Sequence, residues 1–600
     1  MATKDALRKL QAGANLCKIS ESGDIMAGSH THTPGFAELF TPKLVTVFRE
    51  GYKAAHFRAD MIAGLTVAIV ALPLSMAIAI ASGAGPERGL YTAIIGGFLV
   101  SLLGGSRFQV AGPAGAFIVL VAACVTRNGI EGMVLATFLS GLMLLAVGYM
   151  KLGTYIKLIP YPVTVGFTAG IAVIIFSSQI KDLLGLQLSG TEPGELIEKF
   201  PVLFDALPTF TPMAVALSVA TIAVIVLTRR YTPKVPGMLV AVAGAAAAVA
   251  LFNLPVETIG TKFGGIPRSL PLPSLPVFDL ALVRAVLPDA VAFTLLGAIE
   301  SLLSAVVADG MSGRRHRSNC EIVAQGYANI GSALFGGLPV TGTIARTATN
   351  VRSGAHGPVA GMLHSAFILG FMLVAAPLAS YIPLAALAGV LATVAWNMAE
   401  KHEFAALIRA SRADALILLA TFLLTIFRDL TAGIVVGFAI GAVVFINRMS
   451  ASISVETHDA LTAPDVADSK GGRPRGFTDD LVHDSRIAAY RITGAFFFGA
   501  ASSVSSVLEQ IADKHRAFIV DLSGVPFLDS TGANALKALA NRAAKRDVYL
   551  VLAGANAGVV HEMEAHGVSE PLVHLASSMS QASKMAHEVI KQTAGHVKPA

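Results

Sequence analysis

The sequence predicts an α-helical polytopic membrane domain of about 14 spans, followed by a small soluble α/β domain. Three observations predict it. First, only 14% of the 600 residues are charged and 54% are hydrophobic, against about 25% charged in an ordinary soluble protein. Second, the deficit lies between Asp60 and Asn447. There, apolar runs of roughly 18 residues or more follow one another, the length a helix needs to cross a bilayer core of about 30 Å. Third, the residues beyond Arg448 have soluble composition and alternate strand-like with helix-like segments. The expected organisation is an N-terminal segment at 1–55, a transmembrane domain at 56–450, a linker at 451–483, and a folded domain with its tail at 484–600.

The expected spans are 60–82, 89–103, 112–126, 130–150, 160–180, 211–228, 235–252, 290–308, 321–337, 343–353, 358–377, 383–398, 413–428 and 430–447. No apolar stretch precedes the first of them, so no cleaved secretory signal is expected. With the N-terminus inside, the inner connections carry Arg107, Lys151, Lys157, Arg229, Arg230, Lys234, Arg314, Arg315, Arg317, Arg352, Lys401, Arg409, Arg412 and Arg448. The outer ones carry fewer basic residues, so this orientation is favoured. An even number of spans then puts the soluble domain in the cytoplasm too. A plasma or bacterial inner membrane is the expected location.

Composition also excludes several classes. Cys17, Cys124 and Cys320 are the three cysteines; they are far apart and odd in number, which argues against a disulfide framework or a thiolate metal site. Ser29-His30-Thr31-His32 reads as solvated linker rather than a metal site. The net charge of +6 is scattered over membrane loops, so no nucleic-acid partner is expected. No metal, cofactor or catalytic residues are expected, and the chain is not read as an enzyme.

Two of the spans are short and interrupted. Gln109-Val110-Ala111-Gly112-Pro113-Ala114 combines Gln, Gly and Pro where a lipid-facing helix would have none. Pro113 reads as the first residue of a half-helix, since proline is tolerated at a helix start. Gly336-Gly337-Leu338-Pro339-Val340-Thr341-Gly342-Thr343-Ile344-Ala345-Arg346 has the same form, with a helix starting near Thr343. Irregular backbone at membrane depth is tolerated only where it is buried in protein or lines a cavity. Two such segments in corresponding places point to inverted repeats around a midplane site, and paired helix N-termini suit an anion. The alternative is that the glycines merely permit close helix packing; composition does not separate the two.

Between Ala290 and Ala308 the 19-residue run holds one charge, Glu300. A carboxylate at that depth is costly unless it is paired, hydrated or protonated. It reads as a proton or cation site in preference to a structural partner of Arg346. As a fixed cation, Arg346 could complete an anion site or neutralise Glu300.

These stretches carry a resemblance. Ala71-Leu72-Pro73-Leu74-Ser75-Met76-Ala77, Gly89-Leu90-Tyr91-Thr92, Gln109-Val110-Ala111-Gly112-Pro113, and the run through Glu300, Asn319, Glu321, Gln325-Gly326, Asn329, Phe335-Gly336-Gly337-Leu338-Pro339, Arg346-Thr347 and Asn350 resemble the sulfate permease family of anion transporters. The resemblance implies two intertwined inverted repeats of seven spans each. Spans one to four and eight to eleven would form a core, and the others a gate against which the core moves like an elevator. The implied substrate site comprises Pro73, Leu74, Ser75, Ala77, Gln109, Gly112, Pro113, Ala114, Gly342, Thr343, Ile344, Ala345 and Arg346, with Glu300 as the coupling residue. Relatives often carry Gln where this chain has Leu74. Sodium-coupled bicarbonate members carry Asp at Glu300 and a Thr ligand at Ile344. The loss of that hydroxyl favours proton coupling.

In the tail, strands are expected at Ile487–Ile492, Ala517–Leu522 and Val548–Ala553, and helices at Ser502–Ala512 and Thr531–Lys545. The stretch from Asp521 to Gly532, with Leu528-Asp529-Ser530-Thr531 at its heart, resembles the STAS signature of anti-sigma-factor antagonists. Ser530 is the regulatory candidate, because signalling relatives are phosphorylated there; the simpler reading is that it caps the helix that follows. The expected function is proton-coupled uptake of a small inorganic anion, sulfate first, with C4-dicarboxylate or bicarbonate as alternatives. A non-transporting anion sensor signalling through the tail is the alternative of another class. Expected partners are protons, the bilayer, a second copy in a homodimer, and a cytoplasmic protein on the STAS domain.

Overall fold

The computed structural model describes residues 35–156, 160–188, 190, 196–232, 236–428, 430–457, 486–498 and 515–594. The motif at His30 and His32, Cys17, the expected helix at 502–512 and most of the expected linker lie outside these residues. Among the described residues, seven helices are long and apolar enough to cross a membrane unaided: Ala54–Ala81, Gly115–Tyr149, Tyr161–Leu184, Pro212–Tyr231, Leu280–Ser312, Val359–Ala379 and Ala432–Ala451. Shorter segments complete the expected order. They are Pro86–Leu103 as the second span, Gly237–Phe252 as the seventh, Ser318–Leu334 as the ninth, Ile344–Arg352 as the tenth, Leu384–Met398 as the twelfth and Arg412–Phe427 as the thirteenth. The chain divides into two units. One holds spans one to four and eight to eleven, apart from Ile118–Ala123; the other holds the remaining spans and the C-terminal domain.

Several boundaries depart from the sequence reading. The first span begins at Ala54, not near Asp60. Asp60 is fully buried and bonded: it accepts from the Tyr52 hydroxyl at 2.6 Å and from the N–H groups of His356 and Gly357 at 2.5 and 3.0 Å. Those bonds let a carboxylate sit inside a helix that its charge alone would have ended. Spans three and four are two helices within Ile118–Tyr149 that meet at Gly129, whose φ of 69° and ψ of −175° no helical residue has. Glycine adopts that backbone freely, so the turn between the two spans needs no loop.

Among the described residues the C-terminal domain holds a five-stranded sheet in the order β3-β4-β5-β6-β7, numbered after the two short strands of the membrane core, β1 (Ala111–Gly112) and β2 (Thr341–Gly342). β3 (Ser454–Thr457) lies antiparallel to β4 (Ile487–Thr493); β4, β5 (Ala517–Gly524), β6 (Tyr549–Ala553) and β7 (His574–Ala576) are parallel. β3 falls inside the stretch read as linker. Its Ser-Val-Glu-Thr sequence has one apolar residue, as a half-solvated edge strand can. Alternation in β5 sends Phe518, Val520 and Leu522 to one face, under the helices Ser530–Lys545 and Ala557–Ala565, and Ala517 and Ile519 to the other, under Met579–Ala594. Fully burying each of the larger side chains contributes about 1.5–3 kcal/mol.

Ser530 does not cap its helix. Asp529 is the N-cap and accepts from the Gly532 N–H at 2.8 Å; it also accepts from the Phe498 N–H at 3.0 Å. Ser530 is the first helical residue, exposed, with its hydroxyl 3.3 Å from a Glu562 carboxylate oxygen. Aspartate and serine are comparable caps by type, and Asp529 additionally brings a full charge to the helix dipole and accepts the Phe498 N–H. Asp529→Ala is expected to lower the thermal stability of the C-terminal domain by about 0.5–2 kcal/mol, whereas Ser530→Ala should change it little. Paired thermal melts of the two variants check this; equal losses would restore Ser530 as the cap. At the neighbouring strand end, burial would push Asp521 up, but the Ser523 N–H and the Arg491 guanidinium outweigh it and hold the carboxyl below its usual range.

Candidate functional site

The two interrupted segments meet. β1 and β2 pair antiparallel, Ala111 with Gly342 and Gly112 with Thr341. One strand comes from each repeat. An antiparallel pair between corresponding segments is what a two-fold axis in the membrane plane produces.

Several backbone groups along the second extended stretch are met by other segments, as irregular backbone at membrane depth requires. The Leu338 N–H donates to Thr92 Oγ1 at 2.7 Å. Val340 exchanges two bonds of 2.9 Å with the Asn329 amide, which serves as a one-residue strand. The Thr343 N–H donates to the Val110 carbonyl at 3.1 Å. The helix that follows is tied down along one face, at every turn. Thr343 Oγ1 donates to the same Val110 carbonyl at 3.1 Å, the Val110 N–H donates to Thr347 Oγ1 at 3.1 Å, and Asn350 Nδ2 donates to the Phe108 carbonyl at 2.9 Å.

The two helices start differently. The half-helix of the tenth span begins at Ile344 with Thr343 as N-cap, as expected, but the Thr343 side chain bonds no first-turn N–H. Its hydroxyl is spent on Val110, so the first-turn donors have no side-chain cap. The third span does not begin at Pro113. After β1 comes a 3-10 turn at Gly115–Phe117, and the α-helix starts at Ile118. The reason is visible at Pro113, whose carbonyl accepts from Arg346 Nη2 at 3.2 Å instead of bonding along its own chain.

Arg346 stands at the centre of these contacts. It is 2% exposed. Its Nη2 also donates to Ser75 Oγ at 3.0 Å, in the first span, while Nε and Nη1 have no hydrogen-bond partner among the described residues. Among the described residues no carboxylate lies within ion-pair distance of it. A buried cation held by two neutral acceptors is left several kcal/mol short of the compensation it had in water, on general grounds. Gly112 makes room for it: a Cβ there would stand 2.2 Å from Arg346 Nη1. Gly342 does the same for Gln109, whose Nε2 would be 1.9 Å from a Cβ and which reaches past it to donate to Ser301 Oγ at 2.7 Å.

Of the residues expected at the site, Ser75, Gln109, Gly112, Pro113, Gly342, Thr343 and Arg346 form this contact network. Pro73, Leu74, Ala77 and Ala114 are buried nearby in sequence without a bond of their own to it; Ile344 is half-buried and Ala345 exposed. Glu300 makes no ion pair with Arg346, and its Oε2 is buried without a partner. The pairing that the sequence left open is therefore not formed here. Ser301, Ser304 and Thr347 were not singled out from the sequence as site residues. Ser304 Oγ donates to Thr347 Oγ1 at 3.1 Å, and small hydroxyls scattered along apolar helices give no signal until the helices are placed.

Residues 57–421 match the model of the sulfate permease family. The chain belongs to that family. Residues 480–582 match the STAS domain. As a sulfate permease family member it is similar over most of its length to named relatives. YvdB of Bacillus subtilis, which carries the name of a sulfate transporter, is 40% identical over 84% of this chain and 93% of that protein. The bicarbonate transporter BicA of Synechocystis is 32% identical over 85% of this chain and 91% of that protein. Among solved structures, the murine solute carrier 26 family member A9 anion transporter superposes with a TM-score of 0.79 at 18% identity, covering 96% of this chain and 98% of that one; at that identity the likeness is one of fold. The transmembrane domain of a cyanobacterial BicA gives a TM-score of 0.58 at 32% identity over 64% of this chain and 98% of that one. The protein is an integral membrane anion transporter of this family, with its STAS domain at the C-terminal end.

Proposed function

We propose that the chain takes up sulfate coupled to protons, with the anion held between the two half-helix mouths beside Arg346. One observation carries this reading: Arg346 is a buried cation with unspent donors and no carboxylate partner, next to a helix start whose first-turn donors lack a side-chain cap. An oxyanion would supply the missing charge and accept those N–H groups. The name of the 40%-identical relative supports sulfate as the anion. Substrate contacts would come from the mouths at Gly112, Pro113 and Ala114 and at Gly342, Thr343, Ile344, Ala345 and Arg346, with Gln109 and Pro73 to Ala77 shaping the pocket. Glu300, half-buried with its Oε2 shielded and without an ion-pair partner among the described residues, is the proton carrier in this reading. The core carries the site in an elevator motion, both termini are cytoplasmic, the protein is a homodimer, and the STAS domain meets a cytoplasmic partner through the face around Ser530.

Counterflow in proteoliposomes across a panel of labelled anions tests the substrate. Sulfate is expected to exchange fastest; exchange confined to another anion would overturn the assignment, and exchange of none would favour a sensor.

Bicarbonate is the second reading, favoured by the 32%-identical BicA. The cation separates the two. Sodium requires oxygen ligands, and the half-buried Ile344 offers hydrocarbon at the mouth of the tenth span. Replacing sodium by potassium or choline is expected to leave initial uptake unchanged, and a steep sodium requirement would favour bicarbonate.

Glu300→Gln is expected to keep anion binding and lose acid-stimulated uptake, because a neutral amide cannot cycle a proton. Uptake measured against an imposed pH gradient checks this. Stimulation that survives the substitution would place the proton elsewhere.

A further inference from the structure

The unit that holds spans five to seven and twelve to fourteen carries a feature unrelated to the anion site. The sequence has a single tryptophan, Trp396. It stands in the last turn of the twelfth span and is 67% exposed. The Lys401 ammonium lies 3.1 Å from its ring centroid. The twelfth span packs on the sixth, Pro212–Tyr231, which ends in Arg229-Arg230-Tyr231. Arg229 Nη1 donates to Asn397 Oδ1 at 2.9 Å, fastening the two span ends together. The Arg230 guanidinium carbon is 5.8 Å from the Tyr231 ring centroid, and Tyr231 is 71% exposed.

Three cations and two exposed aromatic rings are thus gathered at the same end of two adjoining apolar helices. Among the described residues none of the three cations has a carboxylate within ion-pair distance. The carboxylates beside Lys401 in sequence are Glu400 and Glu403. Less than one turn before the cations, the sixth span exposes Val226 and Leu227. The sixth span therefore passes from exposed hydrocarbon to cations, with Tyr231 following them and Trp396 on the adjoining span end.

We propose that this cluster binds the headgroup phosphate of an anionic phospholipid. Its chains lie along the apolar face of the sixth span, and its phosphate lies between Arg230 and Lys401. Tryptophan and tyrosine settle at the level of lipid headgroups. An ammonium on an indole face keeps its outward N–H groups for a phosphate oxygen. The adjoining Val226 and Leu227 select a lipid over a soluble phosphate, because a free ion would leave that hydrocarbon uncovered.

The lone tryptophan makes the test direct. The full chain is reconstituted into nanodiscs of phosphatidylcholine and phosphatidylglycerol, with bromine on the chains of one lipid or the other at equal mole fraction. Brominated phosphatidylglycerol is expected to quench Trp396 fluorescence at least about twofold more strongly than brominated phosphatidylcholine, reflecting anionic lipid gathered by the basic residues. In Arg230→Gln with Lys401→Gln the two lipids should quench equally, while anion binding at the core site is retained. Equal quenching in the unaltered chain overturns the proposal, whatever the variant's folding. A fluorescence change produced by inorganic phosphate in pure phosphatidylcholine discs, matching that of phosphatidylglycerol, overturns it in favour of a soluble-anion site.

Discussion

Arg346→Ala is expected to weaken anion affinity by about 5- to 150-fold, on the order of 1–3 kcal/mol, the range for losing a charge-assisted bond. Some affinity should remain, because backbone N–H groups at a helix mouth survive side-chain truncation. Two effects combine in the loss. The anion loses its full counter-charge, and Ser75 and the Pro113 carbonyl lose the guanidinium that joins the first and third spans. A double-mutant cycle with Glu300→Gln separates direct recognition from charge balance. Since no bond links Glu300 to Arg346, the two changes are expected to add within about 0.3–0.5 kcal/mol. If Glu300→Gln restores binding to Arg346→Ala, the guanidinium serves the carboxylate and not the anion. Wild-type affinity in Arg346→Ala would mean that the site lies elsewhere. Binding should be measured by isothermal titration on each variant after its folding is confirmed.

Gly342→Ala should be nearly as damaging, although it adds one carbon. Its Cβ would stand 1.9 Å from Gln109 Nε2 and 2.4 Å from Cδ. Gln109 would have to swing away, abandoning Ser301 and moving its amide within the pocket. What collides is the end of a flexible side chain, so the chain is expected to fold, with anion affinity reduced by about tenfold or more, as when a buried polar group loses its partner. Gly112→Ala displaces the Arg346 guanidinium by the same logic. Gly89→Ala is the contrast: its Cβ would meet the Ser75 backbone carbonyl at 2.0 Å. Backbone inside a packed helix pair cannot step aside, so this variant is expected to fail in expression. Affinity and thermal unfolding measured on all three check the ordering; intact binding in folded Gly342→Ala would show that Gln109 does not shape the pocket.

Much of this was legible in the sequence because the bilayer imposes simple rules. Length and apolarity located the spans. The Gly/Pro-containing interruptions at membrane depth located β1 and β2, and a lone arginine after the second located Arg346. Other features lay beyond local reasoning. Pro113 has every mark of a helix start, and only the guanidinium arriving from the other repeat takes its carbonyl and delays the helix to Ile118. The bond between Gln109 and Ser301 joins residues from opposite halves of the chain. In the tail, Asp529 and Ser530 are both good caps by type, and the choice falls to Asp529 because one of its oxygens also meets the Phe498 N–H. Ser454–Thr457 reads as linker until β4 is beside it. The cluster around Trp396 depends on two span ends that only packing brings side by side.

The two-residue ribbon of β1 and β2 also limits how the protein can work over time. Drawing the half-helix mouths apart would strip the Ala111–Gly342 and Gly112–Thr341 pair of its partners in a place without water to replace them, at a cost of several kcal/mol. If the anion sits between these mouths, as proposed, the clamp on it has no jaw of its own. In the proposed elevator reading its grip is set when the chain folds and stays constant through each turnover, so loading and release would be timed by what uncovers the clamp. On this view an inhibitor that fits the mouths would hold on equally well at every stage of the cycle, and slow variants should differ in turnover number while sharing one intrinsic dissociation constant.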